Sequence, residues 1–412
     1  MDGFKKTKLG WIPVEWEVVQ LGDIALLLGG YAFKSSKMNS IGGNYQVIKM
    51  SNIYKGNLDL YRKPSFINEI TDKEEDYLLG GNDIIMSLTG TVGKRDYGYA
   101  TLINKSKNLL LNQRLCKFST KSSTSHFFLY YILQSEKFLN TFYFFGKGGT
   151  GNQSNVGTSD LKKIKIPLPP LEEQKAIANC LGQWDKAIQL QQELLAEKEQ
   201  RKKWLLQVLL TGKKRLPGFV EDWQEVKIKD FAKHLSIKNK ANNTIIVLSC
   251  TKYDGLVPSL EYFGRKVYGD DLSKYKIVPQ NHFAYATNHI EEGSIGYQPN
   301  YTEGLVSPMY TVFKTDKSVH DSFLFRVLKS HRLIYEYNAR MEGSIDRRGG
   351  LRWTNFSLIK LKLPPLKEQT AIAAILNKAD EEIALQKEKL AELEEQKKGM
   401  MQQLLTGKKR LV

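Results

Sequence analysis

The sequence predicts an α+β protein in which two globular bodies are separated by two long antiparallel α-helices forming a coiled coil, with a pseudo-two-fold internal repeat. Three observations predict it. The segment Leu168-Pro169-Pro170-Leu171-Glu172-Glu173-Gln174-Lys175-Ala176-Ile177-Ala178 returns as Leu363-Pro364-Pro365-Leu366-Lys367-Glu368-Gln369-Thr370-Ala371-Ile372-Ala373, displaced by 195 residues. The same displacement, with no gap, lays Leu209-Leu210-Thr211-Gly212-Lys213-Lys214-Arg215-Leu216 on Leu404-Leu405-Thr406-Gly407-Lys408-Lys409-Arg410-Leu411. Between the repeats, short β-rich runs alternate with turn signals. Loops tolerate insertions and a helix in register with a partner does not, so the ungapped match describes rods. The expected boundaries are a first body over 1–168, a helix over 169–215, a second body over 216–363 and a helix over 364–412.

The first body opens on Trp16-Glu17-Val18-Val19-Gln20-Leu21-Gly22-Asp23-Ile24-Ala25. The runs 45–50 and 83–88 read as strands and 125–139 as a helix. Several loops combine glycine with hydrogen-bonding side chains: 30–37 with Tyr31 and Lys34, 87–95 with Ser87, Thr89, Thr91, Lys94 and Arg95, and Asn112-Gln113-Arg114. Asn, Gln, Arg, Ser and Thr supply the donors and acceptors that base edges require, and Lys and Arg neutralise phosphates, so these loops are candidate DNA readers.

The first long helix starts behind Pro-Pro, which suits a first turn and blocks helix before it. It closes on Thr-Gly and a basic trio, a glycine for the C-terminal turn and cations for the negative end of the dipole. At 1.5 Å per residue, about 40 residues make a rod roughly 60 Å long. A heptad frame places Leu181, Ile188, Leu195, Lys202 and Leu209 at one seam position, with Trp184, Gln191, Lys198 and Leu205 at the other. The second helix repeats the pattern with Leu376, Ile383, Leu390, Lys397 and Leu404, then Ala379, Gln386, Leu393 and Met400. Matched polar breaks, Lys202 with Lys397 and Gln191 with Gln386, suit residues that fix register at some cost in stability. The first helix ends where the second body begins, and that body feeds directly into the second helix. The two helices therefore run antiparallel.

The second body opens on Trp223-Gln224-Glu225-Val226-Lys227-Ile228-Lys229-Asp230-Phe231-Ala232, a variant of the first opening. Strands are expected at 244–248 and 309–313 and a helix at 322–339. By the same chemistry, Lys238, Lys252, Tyr253, Asn288, His289, Arg340 and Arg352 are its DNA-binding candidates. Just before the Pro-Pro elements, Asn152 and Gln153 occupy the slot that Arg347 and Arg348 fill 195 residues later. Asn and Gln pair with adenine and Arg with guanine, so equivalent slots are expected to read different bases.

The net charge is +17, divided as +8 over 1–168, +3 over 169–215, +5 over 216–363 and +1 over 364–412. The bodies carry most of it, and double-stranded DNA is the expected polyanion, since no basic amphipathic surface helix marks a membrane partner. Cys116, Cys180 and Cys250 lie far apart, against a disulfide framework or zinc knuckle. With no secretory leader or membrane-length apolar run, a cytoplasmic location is expected. There is no GxxxxGK[ST] loop, dinucleotide GxGxxG loop, HExxH motif or amino-methyltransferase Asp/Asn-Pro-Pro motif, since leucine precedes each Pro-Pro. No catalytic residue or metal ligand is assigned.

Together, the duplicated Leu-Pro-Pro-Leu-x-Glu-Gln-x-Ala-Ile-Ala, the long helix, the Leu-Leu-Thr-Gly-Lys-Lys-Arg-Leu closure and two unlike bodies in alternation resemble the specificity subunit of a type I restriction-modification system over the whole chain. The resemblance implies that each body is a target-recognition domain reading one half of an asymmetric, interrupted DNA site, and that the helix pair sets the gap. It further implies two modification subunits that carry S-adenosylmethionine and methylate adenine N6. ATP-dependent restriction subunits, with Mg, complete the assembly, and this chain itself binds no cofactor. Glu173, Gln174, Glu368 and Gln369 are the expected partner surface. A free-standing sequence-specific DNA-binding regulator and an orphan specificity protein are the alternatives.

Overall fold

The computed structural model describes residues 3–54, 56–104, 108–148, 153–240, 245–341 and 350–411. It comprises two compact units: Met1–Gln192 with Glu388–Val412, and Glu193–Lys387. Each unit holds one body and half of each long helix.

In the first body, strands β1 (Ala25–Gly29), β2 (Ile84–Ser87), β3 (Ala100–Leu102) and β4 (Leu115–Thr120) form an antiparallel sheet in the order β3-β2-β4-β1. The second body builds the same sheet from β5 (Ala232–Leu235), β6 (His282–Ala286), β7 (Ile295–Gln298) and β8 (Tyr310–Thr315), in the order β7-β6-β8-β5. Each sheet buries one face under a helix pair: α1 (His126–Gln134) with α2 (Glu136–Phe144) in the first body, and later in the chain α4 (Asp321–Leu328) with α5 (His331–Arg340) in the second. In chain order, the long helix α3 (Leu171–Leu209) follows the first body and α6 (Leu366–Leu404) the second, with 39 residues each.

The expected single helices over 125–139 and 322–339 are each two. Ser135 breaks the first with extended backbone at ψ 141° and caps α2 by accepting from the Phe138 amide; Ser330 stands at the second break with ψ 149°. The strand expected at 244–248 lies later, at Leu248–Thr251, where it pairs with Gly255–Pro258. Outside the shared sheet the bodies differ. The first adds a four-stranded sheet whose Tyr45–Ile48 and Leu109–Leu111 strands are parallel, whereas the second, among the described residues, adds two-stranded pairs.

Each body closes on itself before its long helix starts: Glu17–Gln20 pairs with Lys165–Leu168, and Gln224–Lys227 with Lys360–Leu363. The first turns of the long helices then enter the body cores. Ile177, Ala178 and Leu181 of α3 join Leu404 of α6 and the following Leu405 in the first core; Ile372, Ala373 and Leu376 of α6 join Leu209 of α3 in the second. These are the same repeat positions, used reciprocally.

The polar contacts obey the same exchange. Glu173, wholly buried, accepts from the Trp16 indole at 2.9 Å and from the Arg410 guanidinium. Glu368, also wholly buried, accepts both arms of Arg215 at 2.7 Å. Gln174 accepts from the Ser125 amide and donates to the Pro169 carbonyl, both at 2.8 Å, and Gln369 does the same with His320 and Pro364 at 2.9 Å. The expected partner surface is thereby corrected: these four side chains are interior, and their hydrogen-bonding capacity goes to joining helix, body and the opposite helix.

The lysines in the seam are paired too. Lys397 binds Asp185, which also accepts from Tyr131 of α1 at 2.6 Å. Lys202 binds Asp380, which also accepts from Arg326 of α4 at 2.6 Å. In each unit the later partner's number falls as the earlier one's rises, from Glu173–Arg410 to Asp185–Lys397 in the first and from Lys198–Glu382 and Lys202–Asp380 to Arg215–Glu368 in the second, so the helices are antiparallel. Gly212 and Gly407 end the long helices at φ 69° and 72°, a conformation only glycine adopts freely. No helix among the described residues is long and apolar enough to cross a membrane.

Removing the arginine from a buried pair leaves a carboxylate in the interior. Arg410→Ala is expected to destabilise the first unit by about 3 kcal/mol, the low end for such pairs because Arg410 retains solvent contact. Glu172→Ala, which breaks only an exposed pair with Lys175, is expected to cost less than about 1 kcal/mol, as urea unfolding of the two variants would show.

Candidate nucleic-acid interface

In the first body, a rim forms where the strands of the sheet run out. β1 ends in Gly29-Gly30, and a Cβ on Gly30 would lie 2.0 Å from the Asn112 carbonyl oxygen, so only glycine allows the chain to pass. The turn Asn112-Gln113-Arg114 is pinned by backbone bonds: Gln113 N–H to Tyr31 O at 2.8 Å, Leu88 N–H to Arg114 O at 2.8 Å and Asn112 N–H to Ile48 O at 3.2 Å. Past β2, Thr89–Thr91 pairs with Gln153–Asn155. An open cleft of about 430 Å³ results, lined by Thr89, Gln113, Arg114, Gln153 and Asn155 among others, with no acid among the described residues of its lining. Candidates far apart in sequence, Thr89, Gln113–Arg114 and Gln153, thus meet in one place.

Others do not. Ser87 is buried in β2, where its hydroxyl accepts from the Tyr99 amide at 3.2 Å, and it cannot reach a ligand. The Tyr31 ring is half-buried and packed between Phe33 and Tyr77, at 5.0 and 5.1 Å, against a core cluster, and is not a free stacking surface. Thr91 is committed to Asp96, whose two oxygens accept its amide at 2.8 Å and its hydroxyl at 2.7 Å. Burial opposes the charge on Asp96, but these two bonds outweigh it and hold the carboxyl below its ordinary range. Arg95 lies over the Tyr143 ring at 5.1 Å, outside the cleft lining. Lys34, Lys94 and Asn112 stand close to this rim in sequence, the two lysines exposed and Asn112 half-buried. Sequence reasoning missed Asn155, whose carbonyl accepts from Thr89 at 2.8 Å and whose amide donors are thereby oriented.

The second body builds its rim at the same end of the equivalent sheet. After β6, the Thr287 hydroxyl donates to the Met309 carbonyl and the Thr287 carbonyl accepts from the Leu351 amide at 2.9 Å; in the first body the Leu88 amide donates to the Arg114 carbonyl and the Leu88 carbonyl accepts from the Val156 amide at 3.0 Å. Met309 stands 195 residues after Arg114 and Leu351 after Val156. Asn288 and His289 follow on this rim, exposed, and Arg352 leads the short helix Trp353–Phe356 beside it. The hairpin joining Leu248–Thr251 to Gly255–Pro258 carries Lys252 and an exposed Tyr253, the ammonium 5.3 Å from the ring centre.

Lys238 and Lys276 face each other in a backbone β-bridge; the Lys276 ammonium donates to the Tyr310 carbonyl at 2.5 Å, and burial first, then the Lys238 charge, pushes it below its ordinary range. Two lysines held together suit an anionic ligand. Arg340, by contrast, is paired to Glu336 on the surface of α5 at 3.2 Å. His289 has Glu291 and Glu292 within 4.8 Å, a carboxylate-rich turn ill-suited to phosphate. Asn152, Arg347 and Arg348 lie outside the described residues.

One residue without a signal in sequence organises this rim. The Lys329 ammonium donates to three carbonyls, Thr251 and Lys252 at 2.9 Å and Gly293 at 2.8 Å, tying the hairpin to the turn after His289. Burial pushes its pKa down, and the carbonyls take the place of water. Lys329→Met is expected to accelerate amide hydrogen exchange at Lys252, Tyr253 and Gly293 by tenfold or more, with β8 unaffected, because hydrogen bonds to a charged group contribute about 1.5–3 kcal/mol.

The profile of the type I restriction modification DNA specificity domain matches this chain twice, over residues 13–200 and 220–395. Two Methanocaldococcus jannaschii chains bearing the names of the type I restriction enzyme MjaX and MjaVIII specificity subunits are 28% and 26% identical over 441 residues, spanning all of this chain and 97% and 96% of theirs. Among solved structures, the S subunit of a type I restriction-modification system from M. genitalium superposes with a TM-score of 0.57 at 16% identity, covering 94% of this chain and 96% of that one, a likeness of fold.

Proposed function

The chain belongs to the type I restriction-modification DNA specificity family, and we propose that it reads an asymmetric, two-part DNA site, one half with each body, on behalf of subunits that carry out the chemistry. One observation carries this reading. The two bodies share a sheet, its helix pair and its anchoring to the long helices, yet the equivalent rim positions hold different side chains, Arg114 in one and Met309 in the other. Two different readers on one duplicated frame suit a site whose halves differ in sequence.

On this reading the bodies recognise bases through their rims, and their excess of cations neutralises phosphates. Binding would be bivalent, so that a weak half-site contributes only when the other is engaged at the right distance. Methylation of adenine N6 and ATP-dependent cleavage would belong to modification and restriction subunits, with S-adenosylmethionine, ATP and Mg held there. The long helices would set the gap between half-sites.

In a host lacking other adenine methylation, co-expression of this chain with its modification subunit is expected to create one bipartite N6-methyladenine motif with a fixed gap, absent when this chain is omitted. Long-read sequencing gives the answer; a soluble complex with no new motif would favour an orphan or regulator. Inserting one heptad after Leu195 and another after Leu390 lengthens each helix by about 10 Å, or about three base pairs at 3.4 Å each. The gap is expected to widen accordingly with both half-sites unchanged; an unaltered gap would eliminate the spacer role.

A further inference from the structure

We infer that Arg114 is the guanine-reading residue of the first body, and that Met309 leaves the second body without one at the equivalent position. The inference rests on the two-part reading of DNA set out above and names a determinant of its specificity.

Four observations converge on Arg114. Its backbone has φ 104°, whereas the other non-glycine residues at positive φ lie between 47° and 68°, near the ordinary left-handed well. Such a conformation persists only when surroundings impose it, and here the backbone bonds to Tyr31, Leu88 and Ile48 do so. The side chain is exposed and makes no hydrogen bond or ion pair among the described residues. Of the described residues lining the cleft it is the one cation, and none of them is a carboxylate.

A fixed Cα, a free guanidinium and an acid-free cleft are what a directional contact needs. A phosphate contact needs much less: a mobile lysine suffices, and Lys34 and Lys94 are exposed nearby in sequence. The neighbours along the cleft are amides, Gln113, Gln153 and Asn155, the last oriented by Thr89. Amides at a groove discriminate between bases, and a guanidinium among them matches the O6 and N7 acceptors of guanine with two parallel bonds. The equivalent Met309 is 64% exposed, follows Ser307-Pro308 and can offer only an apolar contact, such as one with a thymine methyl group.

The test is the methylation motif written by the complex of this chain with its modification subunit, compared among wild type, Arg114→Gly and Arg114→Gln. Glycine removes the side chain and relieves the backbone; glutamine keeps a long polar side chain, so it decides the matter should the glycine variant not assemble. A bidentate arginine discriminates by about five- to 150-fold, so one guanine position in one half-site is expected to become degenerate by that factor. The other half-site and the gap should stay as in wild type. Retention of the full motif by the variants overturns the inference while leaving the two-part reading intact, as does a uniform fall in methylation with no change of motif, which is the mark of a phosphate contact. Absence of any bipartite motif from the wild-type complex overturns both.

Discussion

A glutamate buried in the first turn of each long helix must find a cation, and it finds one at the far end of the other helix. Glu173 takes Arg410 and Glu368 takes Arg215, with Trp16 as a second donor in the first case. The helix N-terminus favours a negative charge, but a carboxylate with no solvent contact needs paired donors to hold it there. Because the cation sits at the C-terminal end of the opposite helix, the pairing can be made only by antiparallel helices. The lysines of the seam refine this: Lys202 and Lys397 each have an aspartate waiting, Asp380 and Asp185, and a slip by one turn would strand all four. Polar residues in an apolar seam thus set direction and register.

The difference between the two units follows from the same constraint. Arg215 donates to both oxygens of Glu368 and also to the Glu221 carbonyl, and the Trp223 indole N–H, counterpart of the one Trp16 donates to Glu173, has no hydrogen-bond partner among the described residues, its ring centre 5.9 Å from the Arg215 guanidinium. In the first unit Arg410 divides its bonds between Glu173 and Glu15, which leaves one glutamate oxygen for Trp16. A repeat inherited by both halves has been satisfied in two ways.

On this frame the sheet ends are free to differ. Each rim is held by backbone bonds, Leu88 to Arg114 and Val156 to Leu88 in the first body, Leu351 to Thr287 in the second, and such bonds place no demand on the side chains beside them. Substitution at Arg114, Gln113 or Asn288 can therefore change the surface without touching the core. Residues whose side chains do belong to the fold, such as Ser87, Tyr31 and Lys329, lack that freedom.

The sequence alone determined the frame: the ungapped repeat, helix boundaries marked by proline and glycine, and the paired breaks in the seam are local or strictly periodic features. It also placed Gln113, Arg114 and Gln153 in loops with the right chemistry. Only the tertiary structure decided which of those loops meet, because the rim joins residues 30, 89, 114 and 155 through strand pairing that has no local signature. It also decided who faces outward. Ser87 and Thr89 are both buried, but Ser87 lies inside a central strand whereas Thr89, past its end, lines the cleft and orients Asn155. Glu173 and Glu368 look like surface carboxylates in a charged helix until the arginine 237 residues away, or 153 in the other unit, is brought against them. Burial is a property of what the rest of the chain places around a residue, and composition near that residue does not record it.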